Sequence, residues 1–355
     1  KDYIFMALSY DLKNGIEKLE STNQDFSNFP KAILWVPKYV IRREQDKIIF
    51  LKGERDNFSQ KVMKEFLEQE SKSEFAPLNA DFKARTSLED YIKHVNLLKE
   101  EIQYGNIYEI NYCQEFYAEN IVLSNPLGTY FKLNNITKAP YSNFFQFNEF
   151  SILSGSPESY LQKTGNVIKT SPIKGTRRRG VNSEEDEQLK VELLNDKKER
   201  AENVMIVDLV RNDLSRIAKK SSVNVDEFLG IHTFETVHQM ISTISCEVED
   251  SVSFTDILQA TFPMGSMTGA PKFSAMNLID EHEDFQRGIY SGSIGYIAPN
   301  GDFDLNVIIR SLIYNQKKKY LSCPVGGAIT ILANAEDEYD ECLVKVKGIL
   351  DQMNV

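Results

Sequence analysis

The chain has 355 residues, 41% of them hydrophobic and 26% charged, the profile of a folded protein with a full-sized core. Its 52 acidic and 41 basic residues leave a net charge of -11, a field that repels phosphate backbones and anionic lipid heads. Nucleic acid and membrane are therefore excluded as first readings, and an anionic substrate would need a local positive pocket.

The predicted elements run as follows. Strands are expected at Ile4–Leu8, Ala32–Val36, Lys38–Arg42 and Lys47–Leu51, punctuated by Pro30 and Pro37. Residues 54–74 read as a helix, with Phe58, Val62, Phe66 and Leu67 at helical spacing, and the polar stretch 71–86 as a linker. Ser87-Leu-Glu-Asp90 resembles a capping box opening a helix that Gly105 ends. A strand follows at Ile107–Asn120, and strand pairs fill 141–178, broken at Gly155 and Gly165. Helices are expected from about Ser183 and from Asp196 to Asn212. Four strands close the chain, at Gly288–Ala298, Asp304–Tyr314, Lys319–Pro324 and Gly327–Leu332, with an Asn300-Gly301 hairpin turn and a final helix at Ala335–Met353. Hairpins with flanking helices predict an α+β fold of large, mostly antiparallel sheets packed as a β-sandwich with helices outside.

No apolar run approaches the roughly 18–20 residues needed to cross a bilayer, and Lys1 to Tyr10 lack a signal-peptide pattern. The first residue is not methionine, so upstream residues are expected. Cys113, Cys246, Cys323 and Cys342 form no CxxC pair and read as reduced residues of a cytoplasmic protein. None sits in a nucleophile-elbow turn, so any ammonia derived from glutamine would come from a partner.

Several constellations could carry chemistry. Glu199 with Glu202, and Glu338 with Glu341, are spaced to share one face of a helix, with Lys345 four residues further on. Two such faces together hold four carboxylates, which call for a hard cation such as Mg2+. The alternative is solvated helix faces, since Glu17/Glu20 and Glu65/Glu68 have the same spacing. In Ser171-Pro-Ile-Lys-Gly-Thr176, a lysine between Ile173 and Gly175 could be desolvated, which would lower its pKa and free the amine as a nucleophile; otherwise it is a turn lysine. Arg177–Arg179 could draw in an anion or be a solvated patch. Glu158, just after Pro157, could be a positioned general acid. The glycine turns 265–272 and 325–328 could present backbone N–H groups to an anion, but lack nucleotide-loop spacing.

Taken in order, SGSPES, SPIKGTRRRG, DKKERAENVMIVDLVRNDLSR, FPMGSMTGAPKFSAMNLIDE, QRGIYSGSIGYI, LNVIIRS, VGGAIT and EDEYDECLVKVK resemble the chorismate-utilising enzyme family. The resemblance implies a catalytic domain over 81–355 and a shortened N-terminal region over 1–80 that joins the sheet. It implies an enzyme whose substrate is chorismate and whose cofactor is Mg2+, held by Glu199, Glu202, Glu338 and Glu341. Lys174 stands where the anthranilate branch resembles PIAGT, with alanine, and the aminodeoxychorismate branch PIKGT. The implied function is therefore amination of chorismate to 4-amino-4-deoxychorismate on the way to 4-aminobenzoate and folate. Lys174 would attack C2, Glu158 would protonate the leaving C4 hydroxyl, and ammonia from a glutamine amidotransferase partner would displace the lysine. Tyr290 and Arg310 would grip the enolpyruvyl carboxylate, assisted by Gly326 and Gly327, with Thr176, Thr268 and Lys345 in the same pocket. The alternatives are an anthranilate synthase component I, disfavoured by Lys174, and a chorismate-binding subunit that has lost catalysis. Four positions depart from the pattern, Ala328 in place of a glycine and Cys342 in place of a threonine among them. Gln239 stands where many relatives have histidine, whose role is expected to pass to His238 or to be dispensable. Glu109 stands where ammonia users often have glutamine and water users lysine; the missing lysine argues against isochorismate and salicylate synthases.

Overall fold

A computed structural model describes residues 1–45, 47–70, 77, 78 and 80–353. Among them are two large antiparallel sheets. The nine-stranded sheet runs Ile173–Arg178, Val237–Glu247, Val167–Thr170, Ser159–Thr164, Phe303–Asn306, Ser293–Ile297, Ile4–Leu8 and Ala32–Trp35, with Asn224–Thr233 also pairing Val237–Glu247. The seven-stranded sheet runs Gly269–Ala270, Glu109–Ala118, Tyr320–Ile329, Ser311–Asn315, Phe150–Ser154 and Asn143–Phe147, with Lys83–Ala84 also pairing Glu109–Ala118.

Strand periodicity decides which core each residue joins. Ile152, Cys113 and Ile313 point into one cluster with Met6, Leu161, Ile244 and Leu305 of the nine-stranded sheet. Their neighbours Leu153, Tyr112, Leu312 and Tyr314 point the other way, into a second cluster under the helices Leu88–Tyr104, Pro126–Thr137, Lys272–His282 and Ala335–Met353. The sheets thus pack face to face, and these helices cover the outer side of the seven-stranded one. The Lys197–Ser215 helix instead sends Ile206, Val207 and Val210 into the inter-sheet cluster, which carries its N-terminal turn to the edge of that layer.

The helix starts follow from their caps. Ser87 accepts the N–H of Asp90 at 3.1 Å, and Gly105 ends that helix at φ 84. Asp196 accepts the N–H groups of Lys198 and Glu199 at 2.9 and 3.1 Å, opening the helix with a full cap. The helix expected over 54–74 runs Asn57–Glu70; residues 71–74, and much of the expected linker, lie outside the described residues. Among the described residues, no helix is long and apolar enough to cross a membrane.

Three expected strands are drawn differently. Residues 304–314 were expected as one strand; they form Phe303–Asn306 in one sheet and Ser311–Asn315 in the other, with the chain crossing between sheets at 307–310. Conversely, Lys319–Pro324 and Gly327–Leu332 are one strand, Tyr320–Ile329, that runs straight through Gly326-Gly327. Those glycines make no turn. A Cβ on Gly326 would lie 2.5 Å from Cys113 Sγ and 2.9 Å from the Tyr112 carbonyl, so glycine is needed for close strand packing.

Candidate active site

The crossing at 307–310 has a twin. Phe150–Ser154 lies in the seven-stranded sheet and Ser159–Thr164 in the nine-stranded one, so residues 155–158 also pass between the sheets. The crossings are tied by backbone bonds, Val307 N–H to Glu158 carbonyl at 3.0 Å and Gly155 N–H to Arg310 carbonyl at 3.1 Å. One delivers Glu158 and the other Arg310 to the same cleft of about 450 Å3. Arg310 sits at φ 52, a left-handed conformation that only a surrounding structure can hold on a residue with a Cβ.

A third element brings Lys174. Its strand, Ile173–Arg178, pairs with Val237–Glu247 but slips register between Ile173 and Thr176, where Gly175 adopts φ 89. Such an irregularity re-aims a side chain. Here it leaves Lys174 buried on the cleft wall, its Nζ 2.7 Å from Glu109 Oε1. The expectation that burial lowers the pKa of this lysine is corrected. Burial does push it down, but the charges of Glu109, Glu202 and Glu158 outweigh burial and hold it well above its ordinary value. Lys174 is therefore stored as an ammonium ion.

Glu158 is 5% exposed and takes the opposite course. Burial raises its carboxyl to about 7, against the Ser266 hydrogen bond and the Lys174 charge. It is poised to give up a proton near neutrality, as a general acid should be. The same shift has a stability consequence. A carboxyl raised in the folded state binds its proton more tightly there than in the unfolded chain, so stability falls as pH rises from about 4.5 to about 7 and stays low above that window. In chelator-containing buffer, Glu158→Gln should flatten this slope by about 3 kcal/mol between pH 4.5 and 8, measured by denaturant unfolding. An unchanged slope would show that Glu158 is not the group titrating.

Four carboxylates approach from two helices. Glu199 and Glu202 lie on Lys197–Ser215, Glu338 and Glu341 on Ala335–Met353. Glu199, Glu202 and Glu341 line the cleft. Glu338 is buried behind its wall, and a Cβ on Gly327 would stand 3.2 Å from its Oε2. Lysines partly neutralise the group: Lys198 reaches Glu338 at 2.5 Å and lies 3.9 Å from Glu202, and Lys345 reaches Glu341 at 2.6 Å. Among the described residues no three His, Cys, Asp or Glu side chains converge, as they stand, to hold a metal. The donor chemistry nevertheless fits a hard cation: all four are carboxylates, and Glu202 Oε1 is buried with no hydrogen-bond partner. Burial pushes the Glu202 carboxyl up to about 8, with Glu109 and Glu199 adding to the rise against the opposing charges of Lys174 and Lys198.

Arg310 supplies the opposite sign. Its guanidinium makes no hydrogen bond or ion pair among the described residues, and burial pushes its pKa below the ordinary value despite Tyr290 and Glu341. An unpaired, half-buried cation on a cleft wall favours the arrival of an anion. Tyr290, Thr176, Gly326, Gly327 and Lys345 share the cleft, and Lys345 donates to the Gly326 carbonyl at 2.7 Å.

Other expected residues fall elsewhere. Thr268 is fully buried off the cleft wall, its hydroxyl donating to the Met264 and Gly265 carbonyls at 3.2 and 3.1 Å. The run Arg177–Arg179 is not free to attract an anion. Arg177 pairs with Asp196 at 2.6 Å, Arg178 with Glu185, and Arg179 with Asp186 at 2.8 Å. His238 cannot inherit the role of the replaced histidine, because it is buried against Asp186 at 2.8 Å and Thr233 at 3.0 Å, whereas Gln239 lines the cleft. The four cysteines are free and buried, and burial pushes Cys246 and Cys323 up to about 11 and about 12, far from thiolate nucleophiles.

Sequence reasoning missed the buried pair Arg287–Glu283. Arg287 donates to the Met267 carbonyl at 2.6 Å and the Asn111 carbonyl at 2.7 Å, while Glu283 accepts the Cys113 N–H at 2.8 Å. The pair thus fastens two cleft-lining segments together. Its signal was present in QRGIYSG, beside the tyrosine that drew the attention.

A family profile described as chorismate binding enzyme matches residues 1–351. The chain is 40% identical over 282 residues to a chloroplastic aminodeoxychorismate synthase of Arabidopsis thaliana, covering 79% of this chain and 30% of that one. It is 37% identical over 286 residues to aminodeoxychorismate synthase component 1 of Escherichia coli, covering 81% and 62%. It therefore spans less than two thirds of either relative. The crystal structure of anthranilate synthase component I from Streptococcus pneumoniae superposes with a TM-score of 0.82 at 29% identity, covering 98% of this chain and 80% of that one.

Proposed function

The chain belongs to the chorismate binding enzyme family, and from that premise we propose that it aminates chorismate to 4-amino-4-deoxychorismate. The observation that carries this reading is the position of Lys174, a buried amine on the wall of the cleft that also holds Glu158 and the unpaired Arg310. Lys174 attacks C2 of the ring and the C4 hydroxyl leaves with a proton from Glu158. Ammonia then attacks C4 and releases the lysine. Arg310 suits a two-pronged grip on the enolpyruvyl carboxylate, with Tyr290 beside it and Gly326 and Gly327 on the same cleft wall.

Glu199, Glu202, Glu338 and Glu341 would hold a magnesium ion, which when bound supplies charge neutralisation and a Lewis-acid grip on the ring carboxylate. Glu202, with its unsatisfied oxygen, is the strongest support for that ion. The ammonia would come from a glutamine amidotransferase subunit; the Escherichia coli relative is named as a component 1.

The test is incubation with chorismate, Mg2+ and an ammonium salt. A product that keeps the enolpyruvyl group, lost when Mg2+ is omitted, is the expected result. Fluorescent anthranilate with release of pyruvate would overturn the reading in favour of the anthranilate branch, and binding without turnover would indicate a subunit that has lost catalysis.

A further inference from the structure

Lys174 cannot attack carbon while it carries its proton, and the three carboxylates facing it favour keeping that proton. Glu109 faces it from the strand Glu109–Ala118, Glu158 from the 155–158 crossing and Glu202 from the Lys197–Ser215 helix. On its own strand, Arg177 lines the same cleft but is paired with Asp196 at 2.6 Å and lies 3.7 Å from Glu199. Of the three carboxylates only Glu109 lies within ion-pair distance of the lysine. Glu202 is too far to take the proton directly, and Glu158 is committed to delivering one to the leaving hydroxyl.

Glu109 is 1% exposed and touches the ammonium through Oε1, while its Oε2 is buried with no hydrogen-bond partner. Accepting a proton therefore breaks no second bond, and the acid formed stays beside the nitrogen it came from. Where glutamine is expected at this position, an amide could accept a hydrogen bond but could not take the proton.

We propose that Glu109 is a catalytic base that takes the Nζ proton of Lys174 and so converts a stored ammonium into the nucleophile inside the cleft. The proposal rests on the reading of Lys174 as nucleophile. The step balances as follows. An N–H bond of Lys174 breaks and an O–H bond forms on Glu109. The freed lone pair bonds to C2, the two ring double bonds each shift one position, and the C4–O bond breaks. The hydroxyl departs as water with the proton of Glu158, and the nitrogen keeps a positive charge as a secondary ammonium. When ammonia displaces the amine, Glu109 returns its proton.

The test is Glu109→Gln, with the Lys174 adduct followed in single turnovers with chorismate and Mg2+ but no ammonia. In the unaltered enzyme the lysine proton moves internally, so from pH 7 to 9 the rate should only fall, by up to tenfold per pH unit, as Glu158 loses the proton it must deliver. The variant should be about 100-fold slower or worse at pH 7, and should keep a nearly level rate to pH 9, because solvent uptake of the lysine proton, gaining up to tenfold per pH unit, offsets the loss of the Glu158 proton. A wild-type rate and profile in the variant would overturn the proposal and leave the nucleophile reading standing. Product formation by the unaltered enzyme with no adduct on Lys174 would overturn that reading as well.

A second measurement needs no substrate. Acetic anhydride labelling of Lys174 across pH, read by mass spectrometry, should begin at lower pH in Glu109→Gln, and identical profiles would overturn the pairing. Should the glutamine variant not fold, Glu109→Asp serves in its place. It should be slowed at pH 7 yet keep the falling profile of the unaltered enzyme, and a wild-type rate would contradict the proposal.

Discussion

Lys174→Ala should abolish 4-amino-4-deoxychorismate formation, by about 10³-fold or more in kcat, because among the described residues no other amine lies on the cleft wall in contact with a buried base. Chorismate should still bind, since Arg310 and Tyr290 are untouched, so the loss should fall on kcat and not on KM. A trace of anthranilate is expected if free ammonia reaches C2 through the vacated space. The substitution also has a structural cost. It removes the cation from between Glu109, Glu202 and Glu158, and breaking a buried pair by deleting one partner costs about 3–5 kcal/mol. Part of that cost should be relieved by proton uptake, so the variant should lose more stability at pH 8 than at pH 5. Unchanged product formation would remove Lys174 from the chemistry.

Arg310→Ala is the second large effect, and it should separate function from stability. A charged hydrogen bond is worth about 1.5–3 kcal/mol, and a bidentate grip uses two, so kcat/KM should fall about 10²–10³-fold or more. Arg310→Lys should recover little, because a point charge cannot reproduce the planar fork. Stability should move the other way. The arginine is a half-buried cation without a partner, held at φ 52. Arg310→Gly removes both costs and should be more stable than Arg310→Ala by about 1 kcal/mol, the usual penalty for a Cβ in the left-handed region. If both variants unfold earlier than the unaltered protein, the guanidinium has a structural partner and the anion-receptor argument fails.

Much of the site was legible because local chemistry announces itself. The Ser87 and Asp196 caps, the paired glutamates of the two helices and the PIKGT strand were all readable from neighbours in the chain. What was not legible depends on partners far away in sequence. The protonation of Lys174 is set by Glu109, 65 residues earlier, while its chain neighbours Ile173 and Gly175 suggest the opposite direction. The run Arg177–Arg179 looks free until Asp186 and Asp196 fold back upon it. Residues 304–314 alternate like one strand, and nothing local marks the passage between sheets that aims Arg310 into the cleft. The helix Pro126–Thr137 and the strands Asn224–Thr233 and Val237–Glu247 carry no clear periodic signal in the sequence. The second of those strands is buried along nearly its whole length, so it lacks the polar alternation that marks a half-exposed strand. Gly326-Gly327 shows the converse error, in which a turn signal proved to be close strand packing.

The account turns on whether the Lys174 nitrogen bonds to the substrate ring. The most direct measurement is acid quenching of the enzyme with chorismate and Mg2+ in the absence of ammonia, followed by peptide mapping by mass spectrometry. The account predicts a peptide carrying chorismate less one water on Lys174, discharged when ammonium is added. Turnover to the aminated product under matched conditions, with Lys174 unmodified at every quench time, would contradict it.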